Sequence, residues 1–134
     1  MPRPTKAIID ADALRHNLQL AQNLSPESKT IAMVKANAYG HNAIEVAKVL
    51  SPITDGFGVA SIDEALELRK YGITLPILLL EGTFSSAEVE IAANNNFWVV
   101  VENQPQLDAI VSSGSSLPQK LTVWLGMDSG MHRL

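Results

Sequence analysis

A lysine closes a short apolar run in this chain, and a tyrosine follows it four residues later. The stretch reads Ile31-Ala-Met-Val-Lys35-Ala-Asn-Ala-Tyr39-Gly40-His41-Asn42. Ile31 to Val34 has the composition of a strand buried on both faces. Lys35 then stands at the carboxyl end of that strand, just before a turn, where α/β proteins place their chemistry. Two readings are open. Lys35 can snorkel from the strand end to solvent, or it can be a desolvated amine suited to carbonyl condensation and proton abstraction. Tyr39 bears on the choice, because it offers a phenol near the start of a helix expected at about residue 41. Helix N-termini hold phosphate through free backbone N–H groups and the helix dipole. An aldehyde cofactor with a phosphate would be held at one end by Lys35 and at the other by this turn. No G-x-x-x-x-G-K-[ST] or G-x-G-x-x-G occurs, so a nucleotide phosphate loop is not supported.

The elements that must position this lysine follow from hydrophobic periodicity. Ala7 to Ile9 reads as a short strand, with Asp10 an N-cap for a helix whose stripe is Leu14, Leu18, Ala21 and Leu24. His16 lies off that stripe and reads as solvated. After the lysine a helix to about residue 50 carries Ala43 or Ile44, Ala47 and Leu50 on one face. Ser61-Ile-Asp-Glu64 and Ser85-Ser-Ala-Glu88 are capping boxes opening two further helices, and Gly72 is a C-cap. Asn103 caps a last helix with Leu107, Ile110 and Val111 apolar. Strands begin near 31, 57, 76, 97 and 121. Strands alternating with helices make a parallel sheet with helices outside it. Two architectures fit: a complete five-stranded doubly wound sheet, or about the first five βα units of a parallel (β/α)8 barrel of the TIM type. No helical pattern follows the fifth strand, which favours the barrel. Trp98 and Trp124 lie in core strands, where packing is the default.

Composition bounds the function. The 134 residues are 46% hydrophobic and 18% charged, enough for one folded domain. The net charge is −4, and the ten Lys and Arg residues are scattered, so nucleic acid is an unexpected partner. Apolar runs are too short to span a bilayer, and the first residues lead to no signal-peptide core. Zero cysteines leave no disulfide framework and no thiolate metal site. No metal is expected, and the expected setting is cytoplasmic.

Met33-Val-Lys35-Ala-Asn-Ala-Tyr39-Gly40-His41 resembles the cofactor signature of the alanine racemases, pyridoxal-phosphate enzymes of fold type III, whose members read V-K-A-N-A-Y-G-H-G. Only Asn42 departs, standing where the family has Gly. Asp128-Ser-Gly-Met-His-Arg133-Leu134 is similar to the family's D-[ST]-G-M-x-R-x segment, and Ile9 to Asn17 resembles its opening. The resemblance implies that Lys35 forms the internal aldimine with pyridoxal 5′-phosphate and acts as one of two catalytic bases. It implies that Tyr39 hydrogen-bonds the cofactor phosphate and that Arg133 binds near the substrate carboxylate, where a forked cation suits the task. Asp128 is expected to set its turn, and His41 and His132 to be structural. Many members carry, two residues before the aspartate, a carbamylated lysine that holds the arginine; Gly126 stands there.

The activity so implied is interconversion of L- and D-alanine, which supplies D-alanine for peptidoglycan, by a homodimer acting on a small amino acid. Residues 1–134 would be the N-terminal part of the pyridoxal-phosphate-binding barrel domain, with the C-terminal β-domain absent. The family's other base comes from that domain of a second subunit, so the 134 residues alone are expected to be inactive. The alternatives are a truncated non-catalytic or cofactor-binding homologue and a complete doubly wound binding module.

Overall fold

Five strands pair in the order in which the chain makes them. The computed structural model describes residues 6–117 and 119–133; Pro118 of the last loop and Leu134 of the second motif lie outside the described residues. The elements run α1 (Ala11–Leu24), β1 (Ile31–Met33), α2 (Lys35–Tyr39), α3 (Ala43–Leu50), β2 (Gly56–Val59), α4 (Ile62–Lys70), β3 (Ile77–Leu79), α5 (Ser86–Asn94), β4 (Phe97–Val101), α6 (Gln104–Ser113) and β5 (Thr122–Leu125). The sheet order is β1-β2-β3-β4-β5, and every pair is parallel. A doubly wound sheet reverses its strand order at a switch point. Sequential order has no such point and is the winding of a β/α barrel. The doubly wound alternative is excluded.

One face of the sheet carries the core. Phe57, Val59, Ile77, Leu79, Phe97 and Val99 are buried beneath the helices, each such side chain contributing about 1.5–3 kcal/mol on burial. Alanines at Ala47, Ala65 and Ala92 meet them from the helix side, and their small size lets helix and sheet approach closely. The other face is more open. There Met33 lies over Gly58, where an added Cβ would collide with it. Trp98 stacks on Trp124 with ring centroids 5.7 Å apart. Trp98 pairs with Thr122 in register, so Trp124 is its diagonal neighbour on one face. The expectation that both tryptophans are ordinary core residues is corrected: Trp98 is half-buried and Trp124 exposed.

Local signals explain the helix ends. Asp10 Oδ1 accepts from the N–H groups of Asp12 (2.9 Å) and Ala13 (3.0 Å), as expected of an N-cap. Gly72, at φ +86°, closes α4 with Gly72 N–H donating to Arg69 O (3.0 Å) and Ile73 N–H to Leu68 O (3.1 Å). These two bonds form a Schellman motif. At the amino ends of the strands the Arg69 guanidinium donates to the carbonyls of Ile73 (2.7 Å), Leu75 (2.8 Å) and Asn95 (3.1 Å). It also lies over the Phe97 ring, 5.1 Å from the centroid. Burial lowers its pKa from the ordinary arginine value.

Three apolar expectations are corrected. Ala7–Ile9 is not a strand: it has no ladder partner among the described residues, and Ile8 is 78% exposed. In α1 only Leu14 and Leu18 reach the core, because that helix packs on α3 rather than on the sheet; Ala21 and Leu24 are exposed. In α6 Leu107 and Val111 are exposed while Gln106 is buried. Its amide has a structural task described below.

Candidate active site

Lys35 follows β1 as expected, half-buried at the carboxyl end of the sheet. The turn after it is unusual. Ala36, Asn37, Ala38 and Tyr39 have φ between +50° and +54°, and the three residues Ala36 to Ala38 have ψ near +46°. This is one turn of left-handed helix in residues that all carry a Cβ. Left-handed backbone costs about 1–2 kcal/mol per residue other than glycine or asparagine, so Ala36, Ala38 and Tyr39 together hold about 3–6 kcal/mol of strain. No local propensity accounts for it. The surroundings must impose it.

Hydrogen bonds grip the turn at both ends. At its start, Ala36 N–H donates to Glu64 Oε1 (2.7 Å), across 28 residues of sequence. The other carboxylate oxygen, Oε2, accepts from Ala60 N–H (2.8 Å), so Glu64 ties the turn after β1 to the end of β2. At the far end, Asn37 Oδ1 accepts from Ala43 N–H at the start of α3 (2.8 Å). Within the turn, Ala38 N–H donates to Val34 O (2.8 Å) and Asn42 N–H to Asn37 O (3.1 Å). The His41 ring Nδ1 lies 3.0 Å from Ala38 O, which supports its structural reading. Asn42 has φ +70°, a conformation that glycine and asparagine tolerate best, which explains why Asn can stand at a glycine position.

Glu64 is not the capping-box residue that its spacing from Ser61 predicts. A capping box has the glutamate return to the N-cap amide. Here Ser61 makes no side-chain cap bond, and the Glu64 carboxylate goes to Ala60 and Ala36. The second box is half formed: Ser85 Oγ accepts from Glu88 N–H (3.4 Å), while Glu88 Oε2 accepts from Phe84 N–H (2.8 Å). No pattern within a single helix could show the long-range partner.

The expected phosphate cradle at the start of α3 is also corrected. Ala43 N–H is taken by Asn37, and Glu45 N–H is taken by Asn42 Oδ1 (3.3 Å). Glu45 itself lies in the first turn, where an acid opposes an anion. The Asn37 and Asn42 side chains are the acceptors that occupy these amides. What remains for a phosphate here is the Tyr39 hydroxyl, on a side chain 62% exposed. Among the described residues, neither Lys35 Nζ nor Tyr39 Oη has a hydrogen-bond or ion-pair partner. One turn therefore presents an amine and a phenol, a donor set suited to an aldehyde that also bears a phosphate.

Arg133 lies in the loop after β5, at the same end of the sheet but at its other edge. The structure does not bring it against Lys35. It lines a cleft of about 330 Å³ with Val100, Glu102, Gly126, Met127 and Asp128. Asp128 organises this loop: Oδ1 accepts from the N–H groups of Gly130 (2.9 Å) and His132 (3.0 Å), and Oδ2 lies 2.6 Å from His132 Nδ1. The His132 and Gly130 amides, then the His132 ring, hold the Asp128 carboxyl below its ordinary pKa. Asp128 sets the turn. A Cβ at Gly126 would meet Glu102 Cβ at 3.0 Å and Val100 Cγ1 at 3.2 Å, so a longer side chain there must displace Glu102.

Sequential parallel strands with a lysine just beyond the first and an arginine beyond the fifth define the lysine-bearing opening units of a β/α-barrel protein. The sequence profile for "Alanine racemase, N-terminal domain" matches residues 9–134. The chain belongs to the alanine racemase family. It is 52% identical over 132 residues to the alanine racemase of Xanthomonas campestris pv. campestris (98% of this chain, 36% of that one) and 50% identical to that of Pseudomonas fluorescens over the same shares. Among solved structures, the biosynthetic alanine racemase of Pseudomonas aeruginosa superposes with a TM-score of 0.87 at 43% identity, covering 93% of this chain and 34% of that one. A histidine racemase from Leuconostoc mesenteroides superposes at 0.83 with 29% identity, covering 92% and 33%. These relatives are barrel racemases, and this chain matches their N-terminal part. It spans about a third of their length. No helix among the described residues is long and apolar enough to cross a membrane.

Proposed function

We propose that these residues form the cofactor-anchoring part of a pyridoxal-phosphate-dependent alanine racemase that interconverts L- and D-alanine. The observation that carries this reading is Lys35 beside a strained left-handed turn that also presents Tyr39. Strain of this kind persists where function requires a fixed geometry.

In this reading Lys35 Nζ binds the cofactor at its aldehyde carbon and Tyr39 Oη donates to its phosphate. When bound, pyridoxal phosphate acts as an electron sink that makes the Cα–H of the amino acid acidic. Once the amino group of the substrate had replaced it at the aldehyde carbon, the freed Lys35 Nζ would take or return the Cα proton on one face. Inversion requires a second base on the opposite face, and the resemblance assigns it to a tyrosine of the C-terminal domain of a second subunit. The whole protein would accordingly be a homodimer with a C-terminal β-domain beyond these residues. Arg133 binds the substrate carboxylate, held by the Asp128 turn. Glu102 and Asp128 line the same cleft, and they are the carboxylates available to Arg133 where a carbamylated lysine is lacking. Alanine rather than histidine is the substrate because the relatives of about 50% identity are alanine racemases. A cytoplasmic setting and D-alanine supply for peptidoglycan follow from the same reading.

The test uses the natural gene product that contains this segment. It is loaded with pyridoxal phosphate, reduced with borohydride and mapped by peptide mass. The pyridoxyl group is expected on Lys35. Labelling of Lys29 or Lys48 instead overturns the assignment.

A further inference from the structure

The Glu64 carboxylate has two oxygens and two backbone partners, and one of those partners is the peptide joined directly to Lys35. Ala36 N–H belongs to the amide whose carbonyl is that of Lys35, and it donates to Oε1 at 2.7 Å. Ala60 N–H, at the end of β2, donates to Oε2 at 2.8 Å. The glutamate itself sits in the first turn of α4, which is packed on the core through Ile62, Ala65 and Leu68. A rigid helix thus reaches across to the neighbouring βα turn and fixes the plane of the peptide that follows the lysine. Since that plane sets the direction in which the Lys35 side chain leaves the backbone, Glu64 controls the amine without touching it. The same bond holds the first residue of the left-handed turn, Ala36.

We infer that Glu64 is a positioning residue for Lys35: its carboxylate clamps the Lys35–Ala36 peptide to β2 and α4 and so aims the lysine amine at a carbonyl ligand. This rests on the proposed function, in that the carbonyl ligand is pyridoxal phosphate. Two acceptors are essential to it. Glu64→Gln keeps shape and length but turns one acceptor into a donor facing a backbone N–H, so one of the two clamps must open. A comparison residue lies two βα units on. Gln106 holds the same place at the start of α6, with Oε1 accepting from Glu102 N–H (3.0 Å) and Nε2 donating to Glu81 O (2.9 Å). It braces a βα turn that carries no lysine.

The experiment measures borohydride trapping of pyridoxal phosphate on Lys35, together with amide hydrogen exchange at Ala36. It compares wild type, Glu64→Gln and Gln106→Glu in the natural full-length product. In Glu64→Gln, trapping is expected to fall by about tenfold or more, in line with the cost of ångström-scale misplacement of a reacting group. Ala36 N–H should exchange faster in the same variant. Gln106→Glu should lower the melting temperature at least as much yet trap at the wild-type rate. The inference is overturned if Glu64→Gln traps like wild type, or loses no more than Gln106→Glu. Should Glu64→Gln fail to fold, Glu64→Asp retracts the carboxylate by one methylene, and the same two readouts decide. If wild type labels Lys29 or Lys48, the proposed function fails first and the inference falls with it. If wild type labels Lys35 and the variants match it, the inference alone falls.

Discussion

Glu64 and Gln106 occupy equivalent places in two βα units, and the difference between them shows how a repeated scaffold is made specific. Each is the third residue after its N-cap, and each accepts the N–H of the residue before that cap, Ala60 in one unit and Glu102 in the other. That bond is generic bracing. The second side-chain atom reaches back to the preceding βα turn, and there the polarity inverts. Glu64 offers an acceptor because the left-handed turn presents the Ala36 N–H. Gln106 offers a donor because the Glu81 loop, running into Gly82 at φ +73°, presents a carbonyl. An added Cβ at Gly82 would come within 2.5 Å of Gln106 Nε2, so that contact also fixes the glycine. Glu88, in the unit between, braces only its own turn among the described hydrogen bonds. Acid or amide at this position is therefore dictated by the backbone group facing it.

The comparison breaks most visibly at Gln106. Gln106→Glu places a carboxylate oxygen against the Glu81 carbonyl in a buried site. It should cost about 2–4 kcal/mol through an unpaired buried charge and a lost hydrogen bond. Thermal or urea unfolding checks this, and an unchanged midpoint would contradict the donor assignment. Glu64→Gln at the more open turn should cost less, about 1–2 kcal/mol. The stability order of the two variants is thus the reverse of their order in Lys35 trapping. Equal ranking in both assays would mean that Glu64 acts through stability alone.

A finer probe separates left-handed from right-handed backbone. Ala36→Gly relieves about 1–2 kcal/mol of folded-state strain and adds about 0.5–1 kcal/mol of unfolded-state entropy. Its stability change should be near zero or favourable. Ala109→Gly, in the right-handed helix α6, has no strain to relieve and should cost about 1 kcal/mol. Equal losses at both positions would deny Ala36 its left-handed conformation.

The smallest effect concerns pH. Asp128 holds the Arg133 loop and Asp55 the entry to β1. Asp55 Oδ2 accepts from Thr30 N–H (2.8 Å), and Oδ1 pairs with Lys29 Nζ (3.0 Å). Both carboxyls are lowered from the ordinary value of 3.8, Asp128 chiefly by the His132 amide and Asp55 chiefly by the Thr30 amide. A depressed carboxyl contributes stability that is complete above its unfolded value and is lost as pH falls through its folded value. Carbon-detected titration should place both midpoints below 3.8, with the His132 and Thr30 amides shifting in step. A midpoint at or above that value for either residue would remove its hydrogen bonds from the account.

Much of this molecule was written locally. The strand starts, the Asp10 and Asn103 caps and the Gly72 stop depend on residues within a turn of one another, so pattern and propensity suffice to place them. Lys35, Tyr39 and Arg133 stood out as candidates because they stand in compact motifs at strand ends. The tertiary structure decided the rest. Sequential pairing, which separates the barrel from the doubly wound sheet, depends on which strands meet. The apolar spacing of Leu24 and Val111 could not show that α1 lies on α3, or that α6 buries an amide. The left-handed turn is the clearest case. Alanine and tyrosine disfavour that conformation, and its partners lie outside it: Glu64 of α4 accepts the Ala36 N–H at its first residue, and Ala43 of α3 donates to Asn37 within it.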